Sequence, residues 1–387
     1  MTDLFDGEDP FPPTHAAARA RLAAVRPGEY ARTRNLLDGA VSRLSPYITH
    51  GVLTLPVVHA AAQGQGRSIL PPDHKFFYEL GWREFFHHVW RHEGERIFES
   101  LHQGPLPDDA YARELPLDIR TGATGLPVVD LAVRELYATG WLHNHARMWL
   151  ASYIVHLRKV HWRTAADWLY GHLLDGDLAS NHLSWQWVAG TGSHKPYLFN
   201  AENVARYAPK PWHSPGSVVD TGYAELEAIA RSPRSVPVAG GPGVAEPPLL
   251  HRPPAGLLGP DFDPQAPADA EKARHGRVLH AWSATPDASG GAVLPLFNAA
   301  FHDTWAWSER RWRFAAALLK SAAGTAPRWC AGPWPTHSLG TADPHALWGG
   351  VRAPTAWRPV SRIWEDPGQR CRSFSQFWQK VQNTAAE

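Results

Sequence analysis

The chain of 387 residues holds only two cysteines, Cys330 and Cys371. Two thiols exclude a disulfide scaffold and fall short of the four thiolates of an ordinary iron–sulfur cluster. They suit a reducing compartment, and a cytoplasmic protein is expected. No apolar run approaches the roughly 20 residues of a membrane span, so no membrane partner is expected. The opening MTDLFDGEDPFPPTH is acidic and lacks the basic start and apolar core of a signal peptide. Net charge is also nearly absent. Thirty-eight basic residues against 37 acidic ones leave +1, which does not announce a polyanionic partner.

Acid is missing in one place. From Trp141 to Ala166 there are four basic residues (Arg147, Arg158, Lys159, Arg163), four histidines and no carboxylate. A local basic face can steer a phosphate backbone even when total charge is near zero. A solvated helix face accounts for the charge equally well.

What the chain has in excess is tryptophan. Six lie between Trp141 and Tyr197, around the turn Asp175-Gly176-Asp177. An ordinary core would use Leu and Val, because each buried indole N–H needs a partner. A site for a large aromatic cofactor, or for electron transfer among rings, would use indoles.

Residues 14–232 read mainly as helix. Val129, Ala132, Val133 and Leu136 form an i, i+3, i+4, i+7 stripe ending at Gly140, a left-handed cap. Asn144 is expected to cap the next helix, and Thr164 with Asp167 to open a third that runs to Leu174. A mainly α domain over 1–232 follows. Residues 233–275 are rich in Pro, Gly and Ala and read as a linker draped over the surface. Residues 276–387 are expected to form a small α/β unit. There RVLHAW (277–282) and PRWCAG (327–332) read as strands, and SERRWRFAAALLKSAA (308–323) as an amphipathic helix.

Several side chains stand at spacings that carry chemistry. Ser42 and Ser45 precede an apolar run, so they can offer donors to a pyrophosphate at a helix start, or simply cap it. Glu79, Trp82 and Arg83 share a helix face, as do Asn144, Arg147 and Met148. An ordinary Glu79–Arg83 ion pair would account for the first set. Trp185 and Trp187 are two apart and need not face the same partner. His143-Asn144-His145, with His87-His88, could suggest a metal-dependent nuclease.

Taken in order, SRLSPYITHG (42–51), ELGWREFF (79–86), TGLPVVDLAVREL (124–136), WLHNHARM (141–148), LLDGDLASN (173–181) and WQWVAGTG (185–192) resemble the FAD-binding domain of the photolyase/cryptochrome family. The resemblance spans about residues 15–205. It implies an all-helical domain holding FAD. The HNH letters then lie at a helix start inside a flavin motif, so no metal ligands are assigned.

The resemblance places Tyr30, Ser42, Leu44 and Ser45 at the FAD phosphates, with Val41 where the family has Thr. It puts Arg83 and Trp141 against the cofactor, and Asn144 between flavin and substrate. Arg147 pairs with Asp175 beside the isoalloxazine, Asp177 lies near the ring and ribose, and Asn181 faces the flavin N5. Glu79 and Met148 contact a thymine dimer, Trp82 stacks on a base of the lesion, and Trp187 faces the lesion cavity. Asn181 and Met148 favour cyclobutane-dimer repair over the plant and insect cryptochromes and the (6-4) photolyases.

Trp185 and Trp162 match an electron relay. No tryptophan lies between Trp90 and Trp141, where the outer member would fall, so a shortened or rerouted relay is expected, ending at Tyr111 or another exposed ring. The family's N-terminal antenna domain has no counterpart in the residues before Tyr30. Trp307–Leu319 bears a slight likeness to one of its helices, which suggests an antenna-like unit at the C-terminus. His145 replaces the family's arginine, and PYLFNAEN (196–203) shortens a DNA-contact element that carries another.

The implied activity is that of a deoxyribodipyrimidine photolyase-like carbon–carbon lyase. Reduced FAD would pass an electron to a dimer in UV-damaged DNA, with single strands preferred and the protein a monomer. The alternative is a cryptochrome-like blue-light sensor without repair.

Overall fold

The apolar stripe of residues 129–136 becomes a helix for the reason its spacing gives. Pro127 starts it, its buried face carries Val128, Val129, Ala132, Val133 and Leu136, and Gly140 closes it with φ 69°. The computed structural model describes residues 9–64, 69–286 and 291–384. Before this helix come α1 (His15–Ala23), α2 (Pro27–Thr33), α3 (Ser45–Thr49), α4 (Leu55–Gly64), α5 (Lys75–Glu93) and α6 (Leu117–Arg120). The helix itself is α7 (Pro127–Thr139). After it come α8 (Asn144–Ser152), α9 (Trp162–His172), α10 (Leu178–Ala189), α11 (Ala201–Tyr207) and α12 (Tyr223–Arg231).

Two helix starts differ from expectation, and histidine is the reason in both. His143, not Asn144, caps α8, its ring accepting from the His145 N–H. His161 caps α9 in the same way, accepting from Arg163 N–H, so the helix begins before Thr164. Thr164 lies inside the helix and donates to Arg113 O, and α9 ends at His172. The imidazole nitrogen does what a Ser or Asp oxygen would do at a cap. Beyond Ser152 the chain widens into a turn in which Arg158 N–H reaches Tyr153 O.

After α12 the chain runs irregularly over the helices. Glu246 there accepts from Arg120 at 2.6 Å and from the Trp168 indole at 3.1 Å. Then follow β1 (Leu249–Leu250), α13 (Pro267–His275), β2 (Arg277–Leu279), β3 (Val293–Asn298), α14 (Ala299–His302), β4 (Trp307–Ser308), α15 (Glu309–Ala323), β5 (Arg328–Cys330), β6 (Gly340–Ala342), β7 (Trp357–Pro359) and α16 (Phe374–Thr384). Strands β2, β3 and β5 make a parallel three-stranded sheet in that order, with α15 crossing from β3 towards β5. The architecture is an all-helical region followed by a small α/β region.

Packing runs across that change of class. One buried cluster lies within residues 111–219, the territory of α6 to α11. A second joins α1, α3, α4 and α5 to residues 262–381 and also takes Trp141, Tyr170 and Leu174. The C-terminal region therefore covers the outside of the helices that form the site.

The helical cores also bury histidines. Desolvation pushes His143 and His156 down to about 4 and His172 to about 3. Below the ordinary 6.5, the unfolded chain takes up protons that these buried rings refuse, so stability falls as pH drops. Three such sites give a slope on the order of 4 kcal/mol per pH unit at its steepest, between pH 6.5 and 4. Urea midpoints at pH 7.5 and 5.0 check this, and equal midpoints would contradict it.

Candidate active site

A cavity of about 590 Å³ opens among α2, α5, α8, α10 and the loop before α3. That volume lies in the ordinary range for cofactor sites. Its walls include every residue that the sequence singled out for substrate or cofactor: Tyr30, Ser42, Leu44, Ser45, Glu79, Trp82, Arg83, Trp141, Asn144, Arg147, Met148, Asp175, Asp177, Asn181 and Trp187, together with Trp185 of the relay. Trp162 and Tyr111 lie outside it.

The deepest part is built on two carboxylates. Asp175 accepts two bonds from the Arg147 guanidinium, at 3.0 and 2.7 Å. Asp177 accepts from Arg83 at 3.1 Å and His87 at 2.8 Å, while its other oxygen caps α10 through the Ser180 N–H at 2.8 Å. Burial alone would raise its pKa, but Arg83 and His87 hold the carboxyl well below the usual range. The Glu79–Arg83 pair does not form, because Arg83 turns to Asp177. Glu79 pairs instead with Lys75 at 2.9 Å and Arg34 at 3.4 Å.

Ser45 begins α3, and its hydroxyl accepts from the Trp141 indole at 3.2 Å. Arg43, at φ 50°, lies over the Trp141 ring at 5.2 Å. Asn181 donates to Ala166 O at 2.9 Å, which fixes its amide on the cavity wall.

Towards the mouth, Asn144 donates to the Met148 sulfur at 3.3 Å. Trp82 lies face to face on Phe374 of α16, with centroids 4.1 Å apart and planes 10° apart. Phe374 covers one face of the indole, which also lines the cavity beside Phe86. Trp185 is 3% exposed whereas Trp187 is 39% exposed, so the neighbours do face different surroundings.

Three further indoles of the Trp141–Tyr197 stretch find the partners their burial demands. Trp149 donates to Asn203, Trp162 to Ser100 and Trp168 to Glu246. Tyr111 is only 8% exposed, so it is not the exposed ring expected at the end of a relay. Its ring lies 6.4 Å from His161, which lies 5.7 Å from Trp162. Burial pushes its phenol up to about 12.

Some residues that build the site escaped sequence reading. Arg34, on the cavity wall, stands one turn from Tyr30, so the helical period could have found it, and His87, singled out only as a possible metal ligand, instead bonds Asp177 from one turn beyond Arg83. His345 could not be found that way. It comes from the C-terminal region, accepts from the Leu178 N–H at 3.0 Å and bonds Asp343 through its other nitrogen at 2.8 Å.

Residues 76–215 match the family model described as the FAD binding domain of DNA photolyase. Over those residues the chain is similar to the photolyase/cryptochrome family.

Among curated photolyase-family relatives, a deoxyribodipyrimidine photo-lyase of Streptomyces griseus is 36% identical over 160 residues, covering 41% of this chain and 34% of that protein. One from Thermus thermophilus is 39% identical over 195 residues, covering 49% and 44%. A cryptochrome DASH of Gloeobacter violaceus is 34% identical over 172 residues, covering 42% and 34%. A Synechocystis cryptochrome structure superimposes with a TM-score of 0.46 at 30% identity, covering 51% of this chain and 44% of that one. The chain thus spans less than half the length of these relatives.

FAD is the cofactor of this photolyase-family domain. The walls suit it. Hydroxyl donors at a helix start match a pyrophosphate, two arginine–carboxylate pairs match the polar edge of a flavin, and Trp141, Trp185 and Leu44 supply apolar surface. Among the described residues no helix is long and apolar enough to cross a membrane.

Proposed function

We propose that this protein repairs cyclobutane pyrimidine dimers in DNA with light. The observation that carries the reading is that Glu79, Trp82, Asn144, Met148 and Trp187 line the same cavity as the cofactor donors. Bound reduced FAD supplies the light absorption and the electron that splits the dimer. The side chains bind and orient. The dimer has to leave the base stack to enter, and a damaged base is the least costly to extrude. Trp82, held flat by Phe374, offers its ring to one base. Glu79, kept in place by Lys75 and Arg34, presents a carboxylate to the N–H groups of a dimer. Asn144 and Met148 close the opposite wall.

Phosphate contacts should dominate affinity, which makes it salt-sensitive, and the shortened DNA-contact element favours single strands. The test is binding of dimer-containing and undamaged oligonucleotides, single- and double-stranded, to FAD-loaded protein. Preference for the lesion supports repair, whereas equal binding of damaged and undamaged strands contradicts it. The resemblance to a cryptochrome DASH supports a second reading, light sensing without repair, which predicts a flavoprotein that leaves dimers intact in the light.

In this reading Trp185 and Trp162 feed electrons inward, and Tyr111 lies beyond them through His161. Tyr111→Phe is expected to slow photoreduction of the bound flavin, read as bleaching under steady illumination with a thiol. An unchanged rate would remove Tyr111 from the route.

A further inference from the structure

Arg311 of α15 is fully buried, yet among the described residues it makes no ion pair. Its guanidinium donates to Tyr170 O at 2.5 Å and Gly176 O at 2.6 Å, and lies between the rings of Tyr170 at 4.4 Å and Trp307 at 4.1 Å. Among the described residues its Nε has no hydrogen-bond partner. An unpaired buried charge is costly, so its retention asks for a reason.

Its position supplies one. Gly176 is the centre of the turn that carries Asp175 and Asp177, and a Cβ there would sit 2.4 Å from the Arg311 Nη1. The turn is a glycine because the guanidinium occupies that space. Both carboxylates already have their own cations, Arg147 and Arg83. The charge of Arg311 is therefore left over on the far side of the turn from the cavity.

We propose that Arg311 is a positioning residue of the FAD site, contributed by the C-terminal region. It locks the Asp175-Gly176-Asp177 turn from behind, and its charge biases the bound flavin towards its reduced, anionic form. The inference rests on FAD occupying the cavity that Asp175 and Asp177 line, and a buried charge directly behind that turn is weakly screened by water.

The experiment is a reductive titration of FAD bound to the wild type, Arg311→Met and Arg311→Lys, with flavin content measured on each. Arg311→Met is expected to shift the oxidised-to-reduced equilibrium about tenfold towards oxidised, about 30 mV for a two-electron couple. Arg311→Lys, which keeps the charge, is expected to shift it far less. An unmoved potential in FAD-loaded Arg311→Met, or an equal shift in both variants, overturns the proposal.

Where Arg311→Met does not fold, the wild type decides. An anionic reduced flavin takes up one proton per two electrons, so its midpoint should fall about 30 mV per pH unit between pH 5 and 6.5. A slope of about 59 mV overturns the proposal. Of the groups facing Arg311, burial pushes Tyr170 up to about 12, His50 down to about 3 and His302 well below its ordinary value; Arg83 and His87 hold Asp177 well below its own, and Asp175 is paired with Arg147. Wild-type protein without flavin would instead refute the cofactor assignment.

Discussion

Replacing Asp177 with alanine is expected to strip FAD from the protein and destabilise it by about 3–5 kcal/mol. No other side chain in the cavity carries so many duties. Its carboxylate accepts from Arg83 and His87 and caps α10, the helix that carries Asn181, Trp185 and Trp187. Alanine leaves Arg83 without its counter-charge next to the cavity and removes the cap, which alone is worth about 1 kcal/mol. Asp177→Asn keeps an oxygen for the cap but not the charge, so it should recover part of the stability and little of the flavin. Flavin absorbance per mole of protein and urea midpoints read the two effects separately. An Asp177→Ala variant with full flavin and a wild-type midpoint contradicts this account of the site.

The second large effect is on DNA. Trp82→Ala is expected to weaken binding of a dimer-containing oligonucleotide by about 1–3 kcal/mol, the range for stacking of a base on an aromatic ring. Flavin content should be unchanged, because Trp82 lies towards the mouth, away from the Asp175 and Asp177 pairs. Binding of undamaged strands should also be little altered, since phosphate contacts do not depend on the indole. Phe374→Ala should produce a smaller version of the same loss by freeing the indole to turn. Equal loss for damaged and undamaged strands would show that Trp82 serves the fold and does not hold the lesion.

Much of the cavity was legible because its residues are local. Glu79, Trp82 and Arg83 lie within two turns of one helix, as do Asn144, Arg147 and Met148, and α7 follows directly from its apolar stripe. The helix caps were misread because histidine took the place of Asn144 and Thr164. His143 and His161 carry no distinctive cap signature in a chain with 22 histidines.

What the sequence hid is everything contributed from a distance. Arg311, His345 and Phe374 reach Gly176, the start of α10 and Trp82 across well over a hundred residues, and no short-range period records such contacts. The same distance explains why 233–275 looked like a simple linker. Its composition hid the helix at Pro267–His275, and nothing local marks Glu246 as the partner of Arg120 and Trp168.

The most direct test of repair is to illuminate FAD-loaded, reduced protein with an oligonucleotide carrying one thymine dimer and count the dimers left, beside a dark control. Repair predicts light-dependent disappearance of the dimer with recovery of intact thymines, sharply reduced in Glu79→Ala. Full flavin with no light-dependent loss of dimers would contradict it.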